Sequence, residues 1–540
     1  MRKLIWALCI AAVFSGAAVA DEGHHHEELT QEQLGTVHFP VSCTADAQKT
    51  FEKGIALLHS FWYEEAKKTF LDIEKQDPKC AMAYWGEAVS RWHQLWNQPD
   101  AATIKRASRE LKKADKAKTK TETERERDYI RALKAFYSNS KKADHEARAR
   151  AYSAAMEKVY QKYPDDHEAA AFYALSLLAS EPDNDTTFAN RKQAGAILEK
   201  LFAVEPNHPG IAHYLIHTYD KPQLAQLGLP AARRYAQIAP AAPHALHMPS
   251  HIFARLGLWQ DDINSNLASI AATRKTAAMH MGGEGHQFHA MDYLVSAYLQ
   301  SGREADAVKV IEEVKAMPPM KDMYGTGHDP RAYALVAFPA RYALEMHHWA
   351  EAAALTPVPD EQGEDASITY WARAIGAARS GNISQARTDI EHIAAIHKTV
   401  LGKKKKVSTE AVDQDRKEAA AWLDYAEGRH DAAIAALRAL AEKQESSGDE
   451  SDGGIPAREM LADMLLDMKR PEQALAEYKA GLKFFPNRFN SLYGAAQAAE
   501  MAGQASQATE YYAVLVKNCE GSSSARPELA RAKQAVVAQK

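Results

Sequence analysis

Small and aromatic side chains recur along this chain at intervals that pairs of antiparallel helices account for. Ala462, Ala474 and Tyr478 return 34 residues later as Ala496, Ala508 and Tyr512. Near the start, Gly54, Ala66, Phe70 and Pro78 keep the same kind of internal spacing, 12, 4 and 8. A small residue in each of two helices lets them approach closely, an aromatic ring fills the gap, and a proline ends the pair. Weaker copies follow a turn residue by five positions: Gly257 with Asp262, Gly302 with Ala307, His347 with Ala352, Gly381 with Ala386, Gly428 with Ala433. Together they predict roughly ten helical pairs over most of the chain. Asp262 and Tyr219 stand where the pattern expects a small residue. Glycine (27) and proline (22) are sparse among 540 residues, and alanine runs abound, which favours helix throughout.

These residues resemble the tetratricopeptide repeat (TPR) family. The resemblance implies an all-α fold, a right-handed superhelical solenoid of hairpins whose concave face holds a protein or peptide segment or a small ligand. It divides the chain into an N-terminal and central array over 41–355, with a histidine-rich concave face, and a C-terminal array over 356–540. Residues 21–40, with His24, His25 and His26, read as a flexible segment ahead of the first hairpin. Residues 103–127, charged and alanine-rich, read as one exposed helix.

Composition and charge narrow the partners. At 46% hydrophobic and 25% charged, the chain has the balance of a folded soluble protein. The first twenty residues read as a cleaved signal peptide: Arg2 and Lys3, an apolar run from Leu4 to Phe14, and Ala18-Val19-Ala20 before Asp21. No later segment reads as a transmembrane span, so the expected location is the periplasm or outside the cell. Net charge is −5, and losing Arg2 and Lys3 with the leader leaves −7. That balance argues against nucleic acid as a partner. Of the cysteines left after cleavage, Cys43 and Cys80 flank one hairpin and are expected to pair, which would add about 4 kcal/mol on the chain-entropy model. Cys519 has no evident partner.

The candidate chemistry is histidine. Signatures such as Gly-x-Ser-x-Gly, His-Glu-x-x-His and Cys-x-x-Cys are missing from the sequence. Three successive first helices instead carry His213, His217 and Asp220, then His244, His247 and His251, then His286, His289 and Asp292. Tyr219, Ser250 and Val295 mark the small-residue position of each helix. His213, His244 and His289 all fall six before it, His247 and Asp292 three before, His217 two before, and Asp220 and His251 one after. At about 100° per residue these eight share a sector roughly 100° wide, with His286 outside it. By the TPR resemblance that sector faces the concave groove. Imidazoles spaced i, i+4 on one helix and about 8–10 Å apart between helices suit a shared transition metal, with zinc, copper or iron all allowed. Protonated, the same histidines would instead bind an anion.

A second concave set is His59, Trp85, Trp92, His93 and Trp96, where aromatic rings would anchor a peptide or apolar ligand. His328, in a later loop, could add a ligand or a lid. Two functions follow. One is an exported scaffold that binds a partner in its groove and carries a metal site. The other is a periplasmic metal-dependent enzyme using the same histidines, with Asp220, Asp292 or Glu284 as ligand or base.

Overall fold

The structure is a computed structural model that describes residues 29–95, 98–117, 122–138, 140–182, 185–281, 284–320, 329–357, 365–402, 406–448 and 454–538. Every regular element among them is an α-helix. The first repeat is the hairpin Ala45–His59 and Tyr63–Gln76. Its packing explains the sequence spacing directly. A Cβ on Gly54 would lie 2.7 Å from the Phe70 ring, and one on Gly86 in the next helix 2.4 Å from it. Phe70 is therefore clamped between two glycines of successive units, with no exposure. Tyr478 repeats the arrangement against Gly494, where a Cβ would stand 2.3 Å away.

The hairpin turn is also uniform. Phe61, Gly257, Gly302, His347, Gly381, Gly428, Lys469 and Gly503 all have positive φ. In each case the following amide bonds a carbonyl five residues back, as Trp62 to Leu57, Leu258 to Phe253 and His348 to Ala343. This is a Schellman closure, which needs one left-handed residue at the end of the first helix. Glycine supplies it without strain. At Phe61, His347 and Lys469 a side chain is accepted at a cost of about 1–2 kcal/mol, so a search for glycine finds only part of the repeat.

The array of TPR-like hairpins bends back on itself. The loop before the Phe489–Met501 helix docks on the turn at Gly257, whose missing Cβ leaves room for the Pro486 carbonyl. Trp259 Nε1 donates to the Asn487 carbonyl (2.8 Å), and Gln300 Oε1 accepts from the Phe489 amide (2.8 Å). Behind that seam, buried Arg488 bridges the buried carboxylates of Glu345 and Glu459. The seam closes a cavity of about 310 Å³ between the central hairpins and the C-terminal ones. No helix among the described residues is long and apolar enough to cross a membrane.

Two expectations change. The end of the 21–40 segment is not flexible: Leu34, Val37 and Phe39 are buried, and the Phe39 ring packs on Phe51, Trp85 and Tyr129. Residues 21–28, with the histidine run, and the leader lie outside the described residues. The charged 103–127 stretch holds parts of two helices, Ala101–Ala114 and Glu124–Tyr137, the second started by a capping box at Thr123 and Glu126. Finally, Cys43 and Cys80 are bonded as expected, and Cys519 is free and buried.

Candidate metal centre

The histidines enter from four helices: Pro209–Tyr219, Pro243–His247, Pro249–Arg255 and His286–Gln300. The middle two correspond to one predicted helix. Pro249 has no amide to continue the ladder, so the helix is interrupted after His247. That break lets His244, His247 and His251 serve two different clusters rather than one continuous stripe.

The first cluster is His213, His217 and His244, each offering a nitrogen within 4.8 Å of the others. His213 Nε2 and His244 Nε2 are 3.1 Å apart. His213 Nδ1 donates to the carbonyl of His59 (2.6 Å), which leaves Nε2 as the lone pair facing inward. His217 Nε2 is buried and has no hydrogen-bond partner among the described residues.

The second cluster is His247, His251 and His289, again within 4.8 Å. Its hydrogen bonds fix the tautomers. Asn266 Nδ2 donates to Asp262 Oδ1 (2.5 Å), which turns Asn266 Oδ1 toward His247 Nδ1 (2.7 Å). His247 Nδ1 must then carry the proton. His251 Nδ1 donates to Asp220 Oδ2 (2.8 Å), and Arg255 Nε holds the other oxygen of that carboxylate (2.9 Å). Both Nε2 atoms are left as lone pairs, 3.0 Å apart and facing each other. Two lone pairs that close repel unless a cation, a proton or a metal ion, lies between them.

Burial depresses the basicity of these rings. It is the main reason that His213 falls to about 3 and that His217, His244 and His247 lie well below the ordinary histidine range, with neighbouring imidazoles adding to it. Neutral imidazole is the metal-ligating form. Carrying a proton in order to bind an anion is correspondingly unfavourable at these four buried rings.

A third cluster, His59, Glu168 and His208, looks similar in composition but is closed. His59 Nε2 and His208 Nε2 each bond one oxygen of Glu168 (2.8 and 2.9 Å). His59 Nδ1 bonds the Tyr214 hydroxyl (2.8 Å), and His208 Nδ1 accepts from the Ile211 amide as a helix cap (3.3 Å). Every ring nitrogen is used, so none is left for a metal. This cluster holds the Pro209–Tyr219 helix on the first hairpin and so positions the His59 carbonyl that orients His213.

The predicted residues sort as follows. His213, His217, His244, His247, His251 and His289 are brought together. Asp220 stands behind His251 as a supporting carboxylate rather than in the ligand set. Asp292 is not part of either cluster; its Oδ1 pairs with Arg341 (2.7 Å) and the residue lines the cavity. His59, Trp85 and Trp92 are corrected from groove anchors to core, at 0%, 1% and 1% exposure, because the first hairpins close over them. His93 stacks on Tyr63 with centroids 4.2 Å apart. Trp96 and His328 lie outside the described residues. His286, placed outside the sector, is in fact buried with its ring 5.4 Å from that of His244. Sequence reasoning missed the parts played by Asn266, Asp262 and Glu168, and by Tyr293, whose hydroxyl lies 3.1 Å from His251 Nδ1. For two of them a signal existed: Asp262 and Asn266 are polar residues four apart on the face of the Trp259–Ala278 helix where the repeat wants small or apolar ones.

Fold and site together define a TPR-like array of helical hairpins with an imidazole-rich interior. No protein-family model matches the chain, and no curated protein does. Similar solved structures include a human IFIT1 dimer with m7Gppp-AAAA, 14% identical over 85% of this chain and 95% of that one, TM-score 0.34. An IFIT1 monomeric mutant with Gppp-AAAA is 13% identical over 87% and 99%, TM-score 0.37. The TPR domain of P58(IPK) is 12% identical over 92% and 99%, TM-score 0.20. Scores this low carry no inference about ligand, and the fold reading stands on the hairpins and turns described above.

Proposed function

We propose that this chain is an exported helical-hairpin scaffold that holds transition-metal ions in its two tri-histidine clusters. The observation that carries the reading is the pair of inward lone pairs on His247 and His251, 3.0 Å apart, with both Nδ1 atoms committed to Asn266 and Asp220. A carboxylate or amide behind a ligating imidazole is the usual support of a metal site. Three neutral imidazoles per ion suit copper or zinc, which lead the affinity order for nitrogen donors. Export rests on the first twenty residues, and the Cys43–Cys80 bond fits an oxidising compartment.

Between a scaffold and a metal-dependent enzyme, the cavity of about 310 Å³ favours the enzyme as second reading. His289 is exposed to it, so a metal bound there would keep a position reachable by a small substrate. Peptide capture by the aromatic set loses its support, because those rings are in the core.

The test is metal content. The mature chain, with His24, His25 and His26 changed to Ala to remove loose binding, is equilibrated with copper or zinc, desalted and assayed by mass spectrometry. Bound metal is expected, with one share lost in His217→Ala and another in His251→Ala. Protein that stays metal-free, with unchanged melting in the presence of either ion, refutes the reading.

A further inference from the structure

The two clusters are not independent sites on a long solenoid. The short helix Pro243–His247 gives His244 to one and His247 to the other, three residues and about 4.5 Å of helix rise apart. Across the divide, the rings of His244 and His247 have centroids 6.1 Å apart, and those of His217 and His251 are 6.3 Å apart. A metal sits about 2.0–2.1 Å from a ring nitrogen, so spacings of this size fit ions separated by about 3.5–4 Å, the range of two-metal sites.

Charge points the same way. Six neutral imidazoles offer no compensation for two buried cations. The carboxylates beside the second cluster are already engaged, Asp220 with His251 and Arg255, Asp262 with Asn266, and Asp292 with Arg341. Buried charge that is not balanced is costly, so the pair requires an anionic ligand from solvent. Three histidines on each ion leave a fourth position for it, and the cavity reaches the second cluster at His289.

We propose that the two tri-histidine clusters form one dinuclear centre whose ions share a single bridging oxygen ligand, hydroxide in the resting state, admitted from the cavity beside His289. The bridge forms when one water binds both ions and releases one proton to bulk solvent. The inference rests on the proposed metal function and adds that the two ions act as a unit, which suits the centre to small oxygen-containing substrates or dioxygen that can replace the bridge.

The test uses the full mature chain loaded with Cu(II), comparing copper content by mass spectrometry with the spin count from electron paramagnetic resonance. Two coppers with a spin count far below two are expected, because a shared oxygen couples the spins. His289→Ala, at the exposed edge of the second cluster, should bind one copper and restore the full signal of a single spin. Two coppers giving two full independent spins, or binding that stops at one copper in the parent chain, overturns the dinuclear centre while leaving metal binding intact. A chain that binds no metal at all overturns the proposed function and this inference with it.

Discussion

Removing the Asn266 side chain tests the tautomer argument at its most sensitive point. Asn266 is fully buried and stands behind His247, on the side away from Nε2; its Oδ1 accepts from His247 Nδ1 at 2.7 Å and its amide is held by Asp262. In Asn266→Ala, His247 is free to flip or to take its proton on Nε2, the atom that faces His251. Losing such a support weakens metal binding by about 10–100-fold, or about 1.4–2.7 kcal/mol. The second cluster should suffer more than the first, because the His213 orientation depends on the His59 carbonyl instead. The metal-free protein should also lose about 1–3 kcal/mol of stability, since His247 and Asp262 are left short of a partner. Chelator competition resolves the two classes of site, and chemical denaturation of the stripped protein measures the stability term. Equal weakening of both classes, or unchanged affinity with lower stability, would show that Asn266 is only packing and that the tautomer reasoning is wrong.

Gly210→Ala addresses the closed third cluster: a Cβ there would stand 2.5 Å from His59 Nδ1. It should cost about 1–3 kcal/mol in unfolding and weaken the first cluster, by displacing the carbonyl that orients His213; metal affinity equal to the parent's would refute that link. Acid should destabilise the metal-free protein. His213 titrates near 3 when folded, whereas unfolded histidine titrates near 6.5, so the unfolded chain binds more protons between these values. Stability then falls by about 1.4 kcal/mol per pH unit for each such ring as pH drops below 6.5, and a flat denaturation profile from 6.5 to 4.5 would contradict it. Glu418 acts in the opposite sense. Burial, aided by Asp415, raises it to about 8, so the folded chain keeps a proton that the unfolded chain has lost, and stability declines as pH rises from about 4.5 toward 8. The decline between pH 6.5 and 8 should be shallower in Glu418→Gln than in the parent, with Asp415 and Asp463, also raised by burial to about 7 and about 8, keeping part of it. Free-thiol titration of the denatured, unreduced mature chain should find Cys519 alone; three thiols would remove the disulfide, and Cys80→Ser should cost about 2–5 kcal/mol.

The helical-hairpin architecture, the expected pairing of Cys43 with Cys80 and a group of six imidazoles on one face are all legible in the order of the residues. These depend on local periodicity. A glycine at 54 and a phenylalanine at 70 must meet wherever two helices of that length fold back, and residues three or four apart must share a face. How the imidazoles divide depends on the packing of the helices against one another. His213, His244 and His289 occupy one registry position, yet the first two fall in one cluster and the third in another, because the break at Pro249 and the stacking of successive helices shift each ring by a few ångströms. Nor does the sequence distinguish His213–His217–His244, where His217 Nε2 is buried with no hydrogen-bond partner among the described residues, from the closed His59–Glu168–His208. That difference lies in which nitrogens already hold a proton partner, and the partners of His59, Glu168, Tyr214 and His208 come from three different hairpins. Periodicity along a chain reports the direction of a side chain; whether its lone pair is free is a matter of what the rest of the fold places against it.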